Sequence, residues 1–134
     1  MTCDIYLEQA KSNEKAARSI EADYPDWAVT MCFYAALHWV EYYACVSGFD
    51  IHAEYKADDK ESRHTSRRKY VDDISQELGN PNLRKAYAYL EQESRKARYL
   101  QNLSTNAKVY YTKNRFTVTD SFQKLQQIKQ LLSS

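Results

Sequence analysis

Apolar residues recur every three or four positions along most of the chain, which is the spacing of helices that bury one face. The first such stripe predicts a helix over residues 4–23. Its expected inward positions are Tyr6, Ala10, Asn13, Ala17, Ile20 and Tyr24. An amphipathic helix of this kind needs a partner surface that covers its apolar face.

The next segment, residues 26–47, is apolar nearly all the way round the predicted helix. Pro25 suits a first helical turn, and Gly48 suits a C-terminal stop. The segment is long enough to be taken for a membrane span, but His38 and Glu41 lie within it, and an ionised carboxylate is costly in lipid. We therefore expect it to be the buried central helix of a bundle. Its inward residues are expected to include Met31, Ala35, His38 and Tyr42.

Three further helices are expected. One begins at Ser62 or Thr65 and ends near residue 78, and the Gly-Asn-Pro-Asn turn that follows leads into a helix over residues 82–103. Residues 104–118 fit either short strands or an ordered loop, and a last helix begins near residue 119 or 120. The pattern predicts an all-α fold, an up-and-down bundle of four to five helices with a buried second helix.

Composition supports one helical domain over residues 1–134, because 2 Gly and 2 Pro leave few residues for strand-connecting turns. The net charge of +1 favours no particular class of partner. The 3 Cys residues have no CxxC spacing, and no signal peptide is visible, so we expect reduced, buried thiols in a cytoplasmic protein. We expect no membrane association.

Several chemistries lack their residues. The two glycines cannot form a phosphate-binding loop, and no GxSxG nucleophile motif is present. The three histidines are not at metal-ligand spacing with one another or with the cysteines. The sequence therefore predicts neither a metal site nor a cofactor.

A set of basic and aromatic residues remains. His64, Arg67 and Arg68 share one face of a predicted helix, and the next helix carries more arginine. Metal-free cleavage of RNA needs a base near neutral pH and cations that stabilise the phosphorane, and histidine and arginine suit these roles. Our candidate catalytic residues are His64, Arg67, Arg95 and Arg98. The candidate residues for binding RNA or a nucleotide are His38, Glu41, Arg68 and Tyr99.

The alternative is that His38 and Glu41 are buried polar groups satisfied by a neighbouring helix. Because Glu41 lies on a helix with almost no solvated face, its charge must be paired or its pKa must rise. We expect Arg95 or Arg98 to be that partner, since their helix combines an apolar stripe with closely spaced arginines.

Parts of the chain resemble HEPN (higher eukaryotes and prokaryotes nucleotide-binding) domains over roughly residues 5–103. The similarity is most specific in the second helix, and it extends to Ala10, Asn13 and the segment from His64 to Arg67. The matching stretches are Asp26-Trp27-Ala28-Val29, Phe33-Tyr34-Ala35-Ala36-Leu37-His38, Glu41, and the run from Tyr87 to Tyr99.

The resemblance implies a helical bundle, often dimeric, with a polar cleft between protomers. Many HEPN proteins are metal-independent ribonucleases in toxin–antitoxin, phage-defence or CRISPR systems, and their signature is an arginine followed after four to six residues by a histidine. This chain has no histidine after Arg95 or Arg98, and Tyr99 stands four residues after Arg95. His64 has no arginine at the required distance before it.

Three hypotheses follow. The first is a HEPN-like domain that binds RNA or a nucleotide in a bacterial defence or toxin–antitoxin setting, without the usual ribonuclease activity. The second is a non-catalytic module for dimerisation or protein interaction. The third is a metal-independent ribonuclease with a rearranged histidine and arginine site. Whether the chain is an enzyme stays open at this point. The partners implied are a second copy in a homodimer, RNA or a nucleotide, and a cognate antitoxin or nucleotidyltransferase.

Overall fold

The computed structural model describes residues 2–55 and 62–133. The described residues form seven helices and no strand, which confirms the predicted all-α bundle. The helices are α1 (Asp4–Ile20), α2 (Pro25–Val46), α3 (Ile51–Glu54), α4 (Arg63–Glu77), α5 (Asn82–Tyr99), α6 (Ala107–Lys113) and α7 (Arg115–Ser133).

The second helix is the centre of the bundle, as predicted. α2 is continuous and is contacted by α1, α4, α5, α6 and α7. Ala35 is fully buried, whereas Met31, His38 and Tyr42 are half-buried. Its most exposed apolar residues stand at its two ends, since Trp27 is 52% and Val46 is 56% exposed. Within the described ranges, no helix has the length and hydropathy that a membrane crossing requires.

α1 packs against α2, and a disulfide between Cys3 and Cys45 joins the start of one helix to the end of the other. The expectation of reduced thiols is therefore wrong for this pair, although Cys32 is free and buried as predicted. The two cysteines are 42 residues apart in sequence, and only the antiparallel packing of the helices brings them together. Tyr24, predicted to face inward, lies beyond the end of α1 and is half exposed.

α4 and α5 form an antiparallel hairpin, and the bounds of α4 and the start of α5 match the prediction closely. Ser62 caps α4, because its hydroxyl accepts a hydrogen bond of 3.3 Å from the backbone N–H of Thr65. Gly79, with a φ of +64°, lies in the turn after α4. α5 ends at Tyr99 and not at residue 103, because Leu100 adopts the left-handed conformation.

The prediction for residues 104–118 is wrong, because they contain α6 and the first turn of α7. Asn106 caps α6 by accepting a hydrogen bond of 2.9 Å from the N–H of Val109. Tyr111 is fully buried, and its hydroxyl donates to the carbonyl of Glu93 at 3.0 Å. The valine and tyrosines of this segment favour strands in general, but packing against α5 decides for a helix here. α7 accordingly begins at Arg115, four or five residues before the predicted start.

The connection between α2 and α4 contains one helical turn, α3. Asp50 begins it, since the Asp50 carboxylate accepts a hydrogen bond of 3.2 Å from the N–H of Ala53. α3 contacts α4, and this contact places His52 opposite the second half of α2. Residues 56–61, which complete this connection, lie outside the described residues.

Candidate functional site

A cleft of about 780 Å³ opens between the second half of α2, the start of α1, α3 and the start of α4. We call it the polar cleft. It is formed where the short α3 turns back toward α2, so residues that are distant in sequence share its wall. The polar and aromatic side chains in its lining include Tyr6, His38, Glu41, His52, Arg63 and Arg67.

Glu41 is the central charge of the polar cleft. Its Oε1 accepts a hydrogen bond of 2.6 Å from Arg67 Nε and lies 3.1 Å from His52 Nε2. The side chains of Glu41 and Arg67 are only 13% and 12% exposed. The expectation that Glu41 must be paired is confirmed, but the predicted partner is wrong, because the guanidinium comes from α4 and not from α5.

His38 lies one turn before Glu41 on α2 and is half-buried. Burial lowers the pKa of His38, and the nearby charge of Arg67 lowers it further, while the charge of Glu41 opposes the change. The imidazole is therefore neutral at pH 7. Its Nδ1 is buried and has no hydrogen-bond partner among the residues that the structure describes.

A second group of charges lies where α4 meets α5. We call Arg67, Arg68, Arg95 and Arg98, together with His64 and Glu91, the arginine face. Burial lowers the pKa of His64, and the four arginine charges lower it further. His64 also lies against the aromatic ring of Phe33 on α2, at a centroid distance of 5.8 Å. The charges of four arginines therefore act on His64 and favour its neutral form.

Glu91 is the buried carboxylate of the arginine face. Its side chain is 8% exposed, and its Oε1 lies 3.0 Å from Arg68 Nε. Burial raises the pKa of Glu91, and the arginine charges oppose that rise. Within residues 2–55 and 62–133, neither Arg95 nor Arg98 has a carboxylate within ion-pair distance. The arginine face therefore carries an excess of positive charge.

Two tyrosines hold Arg98. The guanidinium carbon lies 5.4 Å from the ring centre of Tyr34 and 4.8 Å from that of Tyr99. Arg98 Nη1 donates to the hydroxyl of Tyr34 at 2.9 Å, and Nε donates to the hydroxyl of Ser94 at 3.0 Å. Arg98 thus contacts Tyr34 on the central helix, and Tyr99, which is 65% exposed, leaves an aromatic surface open to solvent.

The predicted site residues therefore fall into two neighbouring groups. His38 and Glu41 belong to the polar cleft, and His64, Arg68, Arg95, Arg98 and Tyr99 belong to the arginine face or its edge. Arg67 belongs to both groups, because it bonds Glu41 and influences His64.

Sequence reasoning missed His52 and Tyr34. His52 could have been found from Asp50, since an aspartate before a short apolar run is a typical helix start. That helix start would have placed His52 on a helical turn after α2. Tyr34 carried no comparable signal, because its role depends on the position of Arg98 in space.

The arginine face can bind anions, because guanidinium groups match the geometry of phosphate oxygens and part of their desolvation has already occurred. The neutral imidazole of His64, within the arginine face, can also accept a proton. Among the described residues, no group of three His, Cys, Asp or Glu side chains is placed to hold a metal ion. The chain matches no protein-family model, no curated protein and no solved structure.

Proposed function

We propose that this protein binds the phosphate groups of RNA or of a nucleotide at the arginine face, as a HEPN-like domain of a bacterial defence or toxin–antitoxin system. One observation carries the proposal: neither Arg95 nor Arg98 has a carboxylate within ion-pair distance among the described residues, and Glu91, the one carboxylate of the arginine face, lies against Arg68. The resemblance of α2 to HEPN domains supports the same class of ligand.

The positions of the side chains favour single-stranded RNA among phosphate ligands. Arginines that already lie together and partly shielded from water lose little additional freedom when they bind an anion. The exposed ring of Tyr99 lies beside them, and bases of a single strand stack on such rings. Phosphate contacts and base stacking can therefore operate on neighbouring nucleotides.

The test is the affinity for a fluorescently labelled single-stranded RNA, measured by anisotropy at fixed salt. Arg95→Ala is expected to weaken binding by about tenfold or more, since it removes a charged hydrogen-bond donor. A plot of the logarithm of the affinity against the logarithm of the salt concentration should also become shallower, by about 0.7 in slope for each lost phosphate contact. Arg84→Ala is the matched control, because Arg84 is exposed at the other end of α5. Equal affinities for the two variants would contradict the proposal.

A ribonuclease with a rearranged site is the second candidate, and the neutral state of His64 favours it. A neutral imidazole can accept the proton of a ribose 2′-hydroxyl, and neighbouring arginines can stabilise the charge that develops on the phosphate. Incubation of RNA with the protein and a chelator separates the two candidates. Cleavage that His64→Asn abolishes would establish the ribonuclease, whereas binding of intact RNA supports the binding domain.

A homodimer, or a complex with an antitoxin or nucleotidyltransferase, remains part of the proposal through the resemblance alone. The apolar second helix adds no support for a dimer, because the other helices of the same chain cover most of it. Light scattering decides, since a dimer must give twice the chain mass of 15.7 kDa. A module that only dimerises would give that mass and would bind no RNA.

The proposed cytoplasmic location needs a test of its own. Disulfides are rare in the cytosol, where thiols are kept reduced, and the structure joins Cys3 to Cys45. Trapping of thiols in intact cells with a mass-tagged alkylating reagent measures the state of this pair. A fully oxidised pair would contradict a permanently reducing location.

A further inference from the structure

A smaller cavity shares Phe49 with the lining of the polar cleft. It has a volume of about 170 Å³ and lies between the end of α2, the segment that follows it and the second half of α4. We call it the aromatic pocket. Aromatic rings and carboxylates dominate its lining, which includes Tyr43, Phe49, Tyr55, Tyr70, Asp73 and Glu77.

Three of the rings contact one another and form the wall of the aromatic pocket. Phe49 and Tyr70 are stacked, with centroids 4.9 Å apart, and Tyr55 lies edge-on to Tyr70 at 6.2 Å. Tyr70 is buried, whereas Phe49 and Tyr55 are half-buried, so the wall is anchored in the core and open at its outer edge. The fourth ring, Tyr43, belongs to α2.

Two carboxylates stand at the opening of the aromatic pocket. Asp73 accepts a hydrogen bond from the hydroxyl of Tyr55, and Glu77 follows one helical turn later on α4. Both residues are exposed. Burial raises the pKa of Tyr55, and the charges of Asp73 and Glu77 raise it further, which agrees with a negative potential at the opening.

We propose that the aromatic pocket binds the methylated ammonium group of a small organic cation. Ring faces attract cations through the negative charge of their π-systems, and carboxylates at the rim add a direct attraction. Methylated ammonium groups suit such a pocket because they have apolar surface for the rings and little need for hydrogen bonds. The volume of the cavity corresponds to about six water molecules in the liquid, which is enough for one compact head group.

The test is a titration of the full chain with choline, followed by NMR through the ring protons of Phe49 and Tyr55. The comparison ligand is 3,3-dimethyl-1-butanol, which has the same shape but no charge. Choline is expected to give a saturable shift and to bind about tenfold more tightly than the neutral alcohol, since only choline has the cation–π attraction. No saturable shift, or equal affinity for the two ligands, would overturn the proposal.

Two variants of α4 locate the site. Glu77→Gln is expected to lower the affinity for choline about threefold, because it removes one rim charge without changing the shape of the side chain. Asp72→Asn is the matched control: it removes the same charge from an exposed neighbour that lines a different surface, near the turn between α4 and α5. An equal loss in both variants would show that net charge, and not the aromatic pocket, attracts the cation. The result does not depend on whether the arginine face binds RNA.

Discussion

The polar cleft and the arginine face use the same types of residue with opposite electrostatic results. In the polar cleft, Glu41 accepts from Arg67 at 2.6 Å, and both side chains are almost completely covered. In the arginine face, Glu91 meets Arg68, while Arg95 and Arg98 lie near it without a carboxylate of their own among the described residues. The cleft is close to neutral, and the arginine face is positive.

This difference separates groups that stabilise the fold from groups that can serve a ligand. In a covered ion pair, each charge compensates the other, so removal of one partner leaves a buried charge without compensation. A guanidinium without a carboxylate has hydrogen-bond donors free for a phosphate. Arg67 connects the two regions, so changes on one side can be compared directly with changes on the other.

The largest expected effect on stability comes from the disulfide, whose Cys45 lines the polar cleft. Replacing both Cys3 and Cys45 by Ala should lower the free energy of unfolding by about 4 kcal/mol, because the bond closes a long loop of the unfolded chain. Urea denaturation measures the change. A dithiol reductant should destabilise the natural protein by a similar amount and leave the double variant unaffected. If RNA binding is lost as well, the two regions are not independent.

Removal of the cleft carboxylate is expected to have the next largest effect. Glu41→Ala should lower the free energy of unfolding by about 3 kcal/mol, because it leaves Arg67 covered and unpaired. Arg95→Ala, its counterpart in the arginine face, should cost less than about 1 kcal/mol. Adding Arg67→Ala to Glu41→Ala should cost much less than the sum of the single changes. Equal losses from Glu41→Ala and Arg95→Ala would contradict the comparison.

The pH dependence of stability should show both histidines. The pKa values of His38 and His64 are lower in the folded protein than the ordinary value of about 6.5. At pH values between the folded and the unfolded pKa of each histidine, the unfolded chain therefore binds more protons than the folded protein. Stability is then complete above about pH 6.5 and falls as the pH decreases through the folded pKa values. Urea denaturation at a series of pH values measures the slope, and His64→Asn should reduce it.

Glu91 produces a smaller dependence of the opposite sign. Its pKa is raised in the folded protein, so stability falls as the pH rises from about 4.5, the ordinary value, to the folded pKa.

RNA provides a sharper contrast between the two histidines, His38 and His64. Phosphate charges should raise the pKa of His64 and leave that of His38 nearly unchanged, as NMR titration with and without RNA would show. Equal shifts at both histidines would place the ligand in the polar cleft.

The smallest expected effect concerns the exposed edge of the arginine face. Tyr99→Phe keeps the ring that lies 4.8 Å from Arg98 and should change the free energy of unfolding by less than about 0.5 kcal/mol. It should also leave RNA affinity nearly unchanged. Tyr99→Ala should weaken binding by about 1 kcal/mol or more if a base stacks there. Anisotropy distinguishes the variants, and identical affinities would remove Tyr99 from the site.

The helices that the sequence predicts well are those whose local and tertiary preferences agree. The apolar run of α2 demands burial whatever surrounds it, and the Ser62 cap and the Gly79 turn define the ends of α4 locally. The prediction for residues 104–118 was wrong because their valine and tyrosines suit strands and helices almost equally. The burial of Tyr111 against α5 decided that this segment forms a helix.

By itself, the sequence determined the all-α class, the central second helix and the need to pair Glu41, because these follow from periodicity and from the cost of burying a charge. Only the tertiary structure decided that Arg67 and His52 are its partners, that Cys3 meets Cys45, and that the charges of four arginines act on His64. The reason is physical: helical periodicity states which face of a helix is covered, whereas the packing of helices that are distant in sequence decides what covers it.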